Sequence, residues 1–404
     1  MNKRKENIGS FSGFLRDLLT DPNLYLLFDR AQAPTLRSRV KFIISGNTRI
    51  QSILQFQDEC MKTADYWRNF HNERKTEDLR FASAPHSWRH YIQGRVAEYL
   101  GIKCFFELES RVNGYVFIGK NLGRSPNLVA VPENLEAPGY RADAKQYISK
   151  CESNYQDAIP EYEKRRLERN KGRYFSLGDH TKKHWSRPSN VLNALRCWRE
   201  LGKVSKNFEK FHKKKYIVFF PHYQPERTSV PEGYGFSQQK LAILALREAL
   251  PSDVHLLVKE HPSTFTNQCV KNARWPSWYQ SIAYMEGVDF VDIQTDNFKL
   301  IDGAVATSTL SGTVAHESLL RGVPTIVFGV LKWLDTFGQH HYHEHSALKS
   351  FLSNVANGSY NSVVVRSSTV ETMLEKESRY VIDKRRSDFN EIKQKVICAE
   401  MKNQ

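Results

Sequence analysis

Short apolar, partly β-branched runs recur through the second half of the chain at 216–220, 254–258, 288–293, 303–306 and 325–328, and each reads as a buried strand. Between them lie helix-like stretches. Residues 237–250 carry apolar positions at Leu241, Ile243, Leu244, Leu246 and Leu250, and shorter patterns cover 277–285 and 313–320. Strands and helices alternating at this spacing predict a parallel sheet with helices on both faces, a Rossmann-like α/β domain. In the first half, a helix pattern at 87–100 leads into a strand at 102–109 that ends in carboxylates, and 24–28 and 40–44 also read as strands. These predict a second α/β domain. The expected boundaries are 1–205, with a helical linker inside 157–215, then 206–368 and a charged helical tail at 369–404.

The 404-residue length suits roughly two to three domains. At 40% hydrophobic and 25% charged the chain reads as globular. The first ten residues are polar and basic with no apolar run behind them, which speaks against a secretory signal. No stretch approaches the roughly 18 apolar residues of a spanning helix. The cysteines at 60, 104, 151, 197, 269 and 398 show no CxxC pair and read as reduced thiols, so a cytoplasmic protein is expected. A net charge of +15 favours anionic partners: nucleic acid, an anionic membrane surface or anionic substrates. Basic residues concentrate at 164–173 and 206–215, read as solvated helix faces. With no nucleic-acid-binding signature beside them, peripheral contact with the inner face of the plasma membrane is the stronger of the partner readings.

In an open parallel sheet, ligands bind outside the carboxyl ends of the strands, and the polar residues of this chain gather there. After the strand at 216–220 comes a long loop with His222, Gln224, Glu226 and Arg227; after 254–258 come Lys259, Glu260, His261 and Ser263. The segment Thr307, Ser308, Thr309, Leu310, Ser311, Gly312, Thr313 then opens into the helix pattern at 313–320. Small hydroxyl residues and a glycine at a helix start suit a phosphate, where a simple cap needs only one such residue. Glu317, one turn on, is placed to accept hydrogen bonds from ribose hydroxyls, against the alternative of a solvated carboxylate. His261 before Pro262 reads equally as a turn histidine. Several signatures fail: Gln238 stands where a third glycine would follow Gly233 and Gly235, and GxxxxGK[ST], GxSxG and a metal-bridging DxD are absent. His340, His341, His343 and His345 lack an acidic or cysteine partner motif and read as a loop or interface. No metal or other cofactor is expected.

The stretches "HYQPE", "LLVKEHP" and "TSTLSGTVAHESLLRGVPTIVFG" together resemble the capsule polysaccharide biosynthesis family, whose better-understood members transfer 3-deoxy-manno-octulosonic acid (Kdo). The resemblance covers about residues 216 to 330 and extends more weakly to "FFELESRVNGYVFIGKN". It implies a GT-B-like glycosyltransferase of two Rossmann-like domains facing a cleft, acting on CMP-activated 3-deoxy-ulosonic acids and a glycan or glycolipid acceptor. By the same resemblance His261 contacts the CMP phosphate or ribose, Ser308, Ser311 and Thr313 cradle the phosphate, and Glu317 holds the ribose. His222, Gln224, Lys259, Thr309 and Gly312 complete the expected donor site. An oxocarbenium-like transition state calls for a carboxylate near the anomeric carbon, with Glu107 and Glu226 as candidates and Glu109 in reserve. Retention of configuration, as in characterised Kdo transferases, makes that carboxylate a nucleophile; in an inverting enzyme it would be a base that deprotonates the acceptor hydroxyl. Gly119 and Lys120 stand where several members carry an acidic residue, leaving a CMP-nonulosonic acid as an alternative donor. A UDP-sugar GT-B transferase or epimerase, and a non-catalytic nucleotide-sugar binding module of a capsule assembly complex, are the other readings.

Overall fold

The computed structural model describes residues 10–21, 23–25, 27, 49–120, 122, 127–155, 159, 164–165, 168, 175, 188–224, 226–266, 274–330 and 335–402. The chain divides into two compact units. Unit 1 comprises Met1–Ser110, Gly114–Glu136 and Tyr380–Gln404; unit 2 comprises Arg111–Asn113 and Ala137–Arg379. In chain order the strands among the described residues are β1 (Asp78–Phe81), β2 (Lys103–Glu109), β3 (Tyr115–Lys120), β4 (Asn127–Leu128), β5 (Ser205–Lys206) and β6 (Tyr216–Phe220). They continue as β7 (His255–Val258), β8 (Val288–Val291), β9 (Ala306–Thr309), β10 (Thr325–Val327), β11 (Gln339–His341) and β12 (Val381–Asp383).

Unit 2 is built on a wholly parallel sheet in the order β11-β10-β9-β6-β7-β8-β5. Every residue of β6 is buried, as a strand covered on both faces must be. Its side chains alternate between two cores. Ile217 and Phe219 pack with the helices Pro188–Val204, Lys240–Ala249, Pro276–Ala283 and His345–Ala356, whereas Tyr216, Val218 and Phe220 pack with Phe298, Leu300, Ile301 and Val314. The helix Lys240–Ala249 buries Ala242, Ile243, Leu246 and Ala249, one stripe at helical spacing. From β6 the chain steps outward to β7 and β8, then returns to the other side of β6 as β9 and proceeds to β10 and β11. The strand order therefore reverses between β6 and β9, the place where a doubly wound sheet leaves a ligand crevice.

Unit 1 carries a five-stranded sheet, β1-β2-β3-β12 with β4 also on β3. The α/β class is as expected, but only β1 and β2 run parallel; β3 is antiparallel to β2, β4 and β12. The reason is local: residues 110–114 between β2 and β3 are too few for a crossover and allow only a hairpin. The helix Phe389–Lys402 covers one face through Ile392, Val396 and Ile397, and Ala97 of the helix Trp88–Tyr99 packs with Ile102 and Cys104 in a separate core. Ser87 caps the latter helix, its hydroxyl accepting from the His90 amide.

Other expectations shift. The described part of 24–28 is helical rather than extended, 40–44 lies outside the described residues, and most of the basic stretch 164–173 does too. The second basic stretch is a short strand and a 3-10 turn, not a helix face, with Lys213, Lys214 and Lys215 exposed just before β6. The strand expected at 303–306 is Ala306–Thr309, so half of the hydroxyl-rich segment is sheet. The expected tail contributes β12 to the sheet of unit 1. No helix among the described residues is long and apolar enough to cross a membrane.

Candidate functional site

β6 and β9 pair with Phe220 opposite Thr309, and β6 and β7 with Phe219 opposite Val258. His222 and His261 each stand three residues beyond that second pair, so parallel register alone brings two histidine loops to neighbouring strand ends. His222 is buried and both ring nitrogens are engaged. The Ser311 amide donates to Nε2 at 3.2 Å, and the Thr309 hydroxyl lies 3.3 Å from the same atom. An acceptor Nε2 places the proton of the neutral ring on Nδ1. There Thr228 Oγ1 lies at 3.0 Å and Glu226 Oε2 at 3.4 Å. Burial raises the Glu226 carboxyl, but hydrogen bonds from His222 and Thr228 outweigh it and bring the group down to about 2. Gly312 is required by the closeness of these parts: a Cβ there would lie 2.8 Å from Thr309 Oγ1 and 3.3 Å from His222 Nε2.

His261 has the opposite arrangement. The Ser263 amide donates to its Nδ1 at 3.0 Å, so the neutral ring carries its proton on Nε2. The ring is half-buried, with the Tyr223 ring centred 5.1 Å away. Beneath it lies a buried ion pair. Glu260, fully buried, accepts from Arg274 Nε at 2.8 Å, Tyr279 Oη at 2.9 Å, Thr264 Oγ1 at 3.0 Å and the His261 amide at 3.0 Å. Burial opposes its charge, but the Arg274 guanidinium overcomes that and holds the carboxyl below its usual value; Tyr279 is pushed well above its own by burial and by Glu260. Arg274 also stacks over the Trp278 ring at 4.0 Å.

The hydroxyl-rich segment divides by role. Thr307 bonds Ser318 Oγ and Thr325 Oγ1, and Thr309 donates to the Phe220 carbonyl at 3.1 Å, so both tie the sheet together. Ser311 Oγ donates to the Thr228 carbonyl at 2.9 Å, closing the loop after β6 onto β9. Ser308 Oγ is buried with no hydrogen-bond partner among the described residues, and Thr313 is exposed at the helix start. Gln224, expected to face a sugar, donates its amide to the Ser237 carbonyl at 2.7 Å. Lys259 is buried, and its amide bonds the Phe219 carbonyl at 3.1 Å.

Glu317 belongs to a second group, between the helices Val314–Leu320 and Tyr140–Glu152. Burial raises its carboxyl against a hydrogen bond from Thr313 and the charges of Arg111 and Arg321. His316 stacks on Tyr147 with centroids 5.9 Å apart, and burial together with Arg111 lowers it to about 3. Glu377 lies in the same region; Tyr140 donates to its Oε2 at 2.8 Å, while Oε1 is buried without a hydrogen-bond partner among the described residues. Burial raises this carboxyl to about 7.

In unit 1, Glu107 is buried and held by Lys393 at 2.6 Å and Lys384 at 3.8 Å, and Glu109 by Lys384 at 3.1 Å. The clustered histidines are separately occupied: His340 stacks on Phe351, His341 Nε2 bonds the Gly329 carbonyl at 2.8 Å, and His343 bonds the His341 carbonyl. No group of three or more metal-ligating side chains occurs among the described residues. An open cavity lined by Trp198, Ser205, Lys206 and Asp292 sits at the β8–β5 edge of the sheet, away from the β6/β9 junction. Thr228, Gln239 and Arg274 escaped the sequence reading; Thr228 lay in a loop already singled out, and the other two carry no local signal.

No known family description and no curated protein matches the chain. Among solved structures it is similar to KpsC of Thermosulfurimonas dismutans, a beta Kdo 2,4 transferase, at 10% identity over 69% of this chain and 78% of that one, with a TM-score of 0.32. It is also similar to MnaA of S. aureus solved with UDP (11% identity, 78% and 76% covered, TM-score 0.28). A third is the UDP-GlcNAc 2-epimerase of Methanocaldococcus jannaschii with UDP-GlcNAc and UDP (10% identity, 84% and 80% covered, TM-score 0.26).

Proposed function

We propose that unit 2 binds a nucleotide-activated acidic sugar at the carboxyl ends of β6, β7 and β9, and that the protein is a glycosyltransferase using a CMP-linked 3-deoxy-ulosonic acid, Kdo or a nonulosonic acid. The observation that carries this reading is the convergence of His222, Glu226, Thr309 and Ser311 where the strand order reverses between β6 and β9, with His261 at the neighbouring end of β7. The three sequence motifs that resemble the capsule polysaccharide family fall on those same strand ends.

In this reading His261 donates from Nε2 to the donor phosphate, beside Gly312 and Thr313, and no metal takes part. Transfer breaks the bond between the anomeric carbon and the phosphate oxygen, CMP leaves with that electron pair, and the oxygen of a glycan or glycolipid hydroxyl forms the new bond while its proton passes to the departing CMP phosphate. Glu226 is occupied by His222 Nδ1 and by Thr228. Burial raises the Glu317 carboxyl toward its neutral form, which would meet ribose hydroxyls with both an O–H donor and a C=O acceptor. The test is calorimetric titration with CMP, UDP and ADP without added metal, beside His261→Ala and Glu317→Ala. Selective CMP binding weakened by His261→Ala supports the reading and leads to turnover assays with CMP-Kdo. Preferential binding of UDP would replace it with a UDP-sugar transferase or epimerase.

A further inference from the structure

The His222 backbone is gripped from three directions by side chains remote in sequence. Gln239, almost wholly buried ahead of the helix Lys240–Ala249, accepts from the His222 amide through Oε1 at 2.7 Å and donates to the His222 carbonyl through Nε2 at 2.8 Å. The same carbonyl accepts from the Arg274 guanidinium at 3.1 Å. Arg274 is clamped in turn by Glu260, whose Oε1 takes the His261 amide. A continuous path of buried hydrogen bonds thus runs from Gln239 through the His222 main chain, Arg274 and Glu260 to the His261 main chain.

Building on the reading of this cluster as the ligand site, we propose that Gln239 and Arg274 are positioning residues that lock the two histidines into opposite tautomers, His222 protonated on Nδ1 and His261 on Nε2. The geometry requires such a frame. Gln239 holds the His222 N–H and the His222 C=O, which belong to the two peptide planes flanking its Cα, so φ and ψ of His222 are both restrained, and this keeps the ring nitrogen in line with the Ser311 amide 3.2 Å away. The planar fork of Arg274 reaches a carboxylate and a carbonyl at once, which a lysine could not do with the same geometry. Because β6 and β7 end in register, the frame also sets the separation of the two rings, and with it which donors a phosphate meets. The reverse arrangement would turn an acceptor toward the ligand at His261 and repel an anion.

Two-bond proton–nitrogen spectra of the free protein, with nitrogen-labelled histidine and assignment by His222→Gln and His261→Gln, read each tautomer directly. The wild type should show one Nδ1–H ring and one Nε2–H ring. Gln239→Ala keeps the buried ion pair and should fold; in it the His222 signal should become a mixture of tautomers, with CMP affinity falling about tenfold. Arg274→Lys keeps a charge beside Glu260 and should disturb His222 as well. Leu246→Ala, on the core face of the helix after Gln239, should lower Tm while leaving both signals as in the wild type. A His222 signal that stays purely Nδ1–H in Gln239→Ala, with only Tm reduced, overturns the proposal. The spectra need no ligand, so a protein that ignores CMP would remove the nucleotide reading while this result still stands or falls by itself.

Discussion

The Ser311 amide and His222 Nε2 lie 3.2 Å apart, so one face of the His222 ring is already satisfied by the protein. His261, on the neighbouring strand end, accepts at Nδ1 from the Ser263 amide. The two histidines should therefore respond differently to removal. His261→Ala should weaken CMP binding about tenfold to hundredfold, the value of a charge-assisted hydrogen bond, with Tm nearly unchanged. His222→Ala should instead lower Tm by several degrees, because Ser311, Thr309 and Thr228 lose their partner. Calorimetric titration and thermal unfolding of the two variants, side by side, check the contrast.

Gly312→Ala is expected to damage the cluster with the smallest possible change. The added methyl would sit 2.8 Å from Thr309 Oγ1, forcing the hydroxyl away from the Phe220 carbonyl or the loop away from β6. A loss of about 1–3 kcal/mol in urea unfolding is expected, as for overpacked sites. Alanine at Gly202, inside the helix Pro188–Val204 with open space around it, is the control and should be neutral or stabilising.

Much of unit 2 was legible because its strands are short, apolar and regularly spaced; 216–220 coincides with β6. The reason lies in the two-sided burial of that strand, which leaves no polar position to blur the run. The hydroxyl-rich segment misled in part: Thr307 and Thr309 look like a phosphate cradle in sequence, yet their hydroxyls serve the sheet and the crossing to Ser318. Arg274 was illegible for another reason. A lone arginine in a polar stretch gives no sign of a buried partner 14 residues upstream, and only the fold brings it to Glu260. In unit 1, β12 was hidden inside a charged tail because three residues of strand are too few to show a period.

Glu377 sets a pH dependence of known sign. Its carboxyl titrates near 7 when folded, mainly through burial, and near 4.5 when exposed. Between those values the folded state keeps a proton that the unfolded chain has lost, so stability falls as pH rises from about 4.5 to 7 and then levels off, by up to about 3 kcal/mol. Glu377→Gln should remove this decline: urea midpoints at pH 8 should rise relative to the wild type, with little change at pH 4.5. Parallel curves for the two proteins across that range would contradict the assignment.

The Glu260–Arg274 pair should show the asymmetry of buried charges. Arg274→Met leaves a carboxylate in the core without its counter-charge and should cost about 3–5 kcal/mol. The double change Glu260→Leu with Arg274→Met should recover part of that loss, since no uncompensated charge remains, while Tyr279, Thr264, the His261 amide and the His222 carbonyl still lack their partners. Chemical denaturation of wild type, single and double variants closes the cycle.

Unit 1 is assembled from stretches on either side of unit 2, and its edge strand β12 is made last. During synthesis the described strands of the parallel sheet of unit 2 are all made by His341, whereas β3 of unit 1 waits until Asp383 has left the ribosome for its partner. In that interval the backbone of Tyr115, Val116 and Phe117 has an open apolar edge, the kind that nascent chains pair wrongly or present to chaperones. Unit 2 can thus mature while unit 1 is still waiting, and the tempo of translation through residues 342–383 sets how long that edge is exposed.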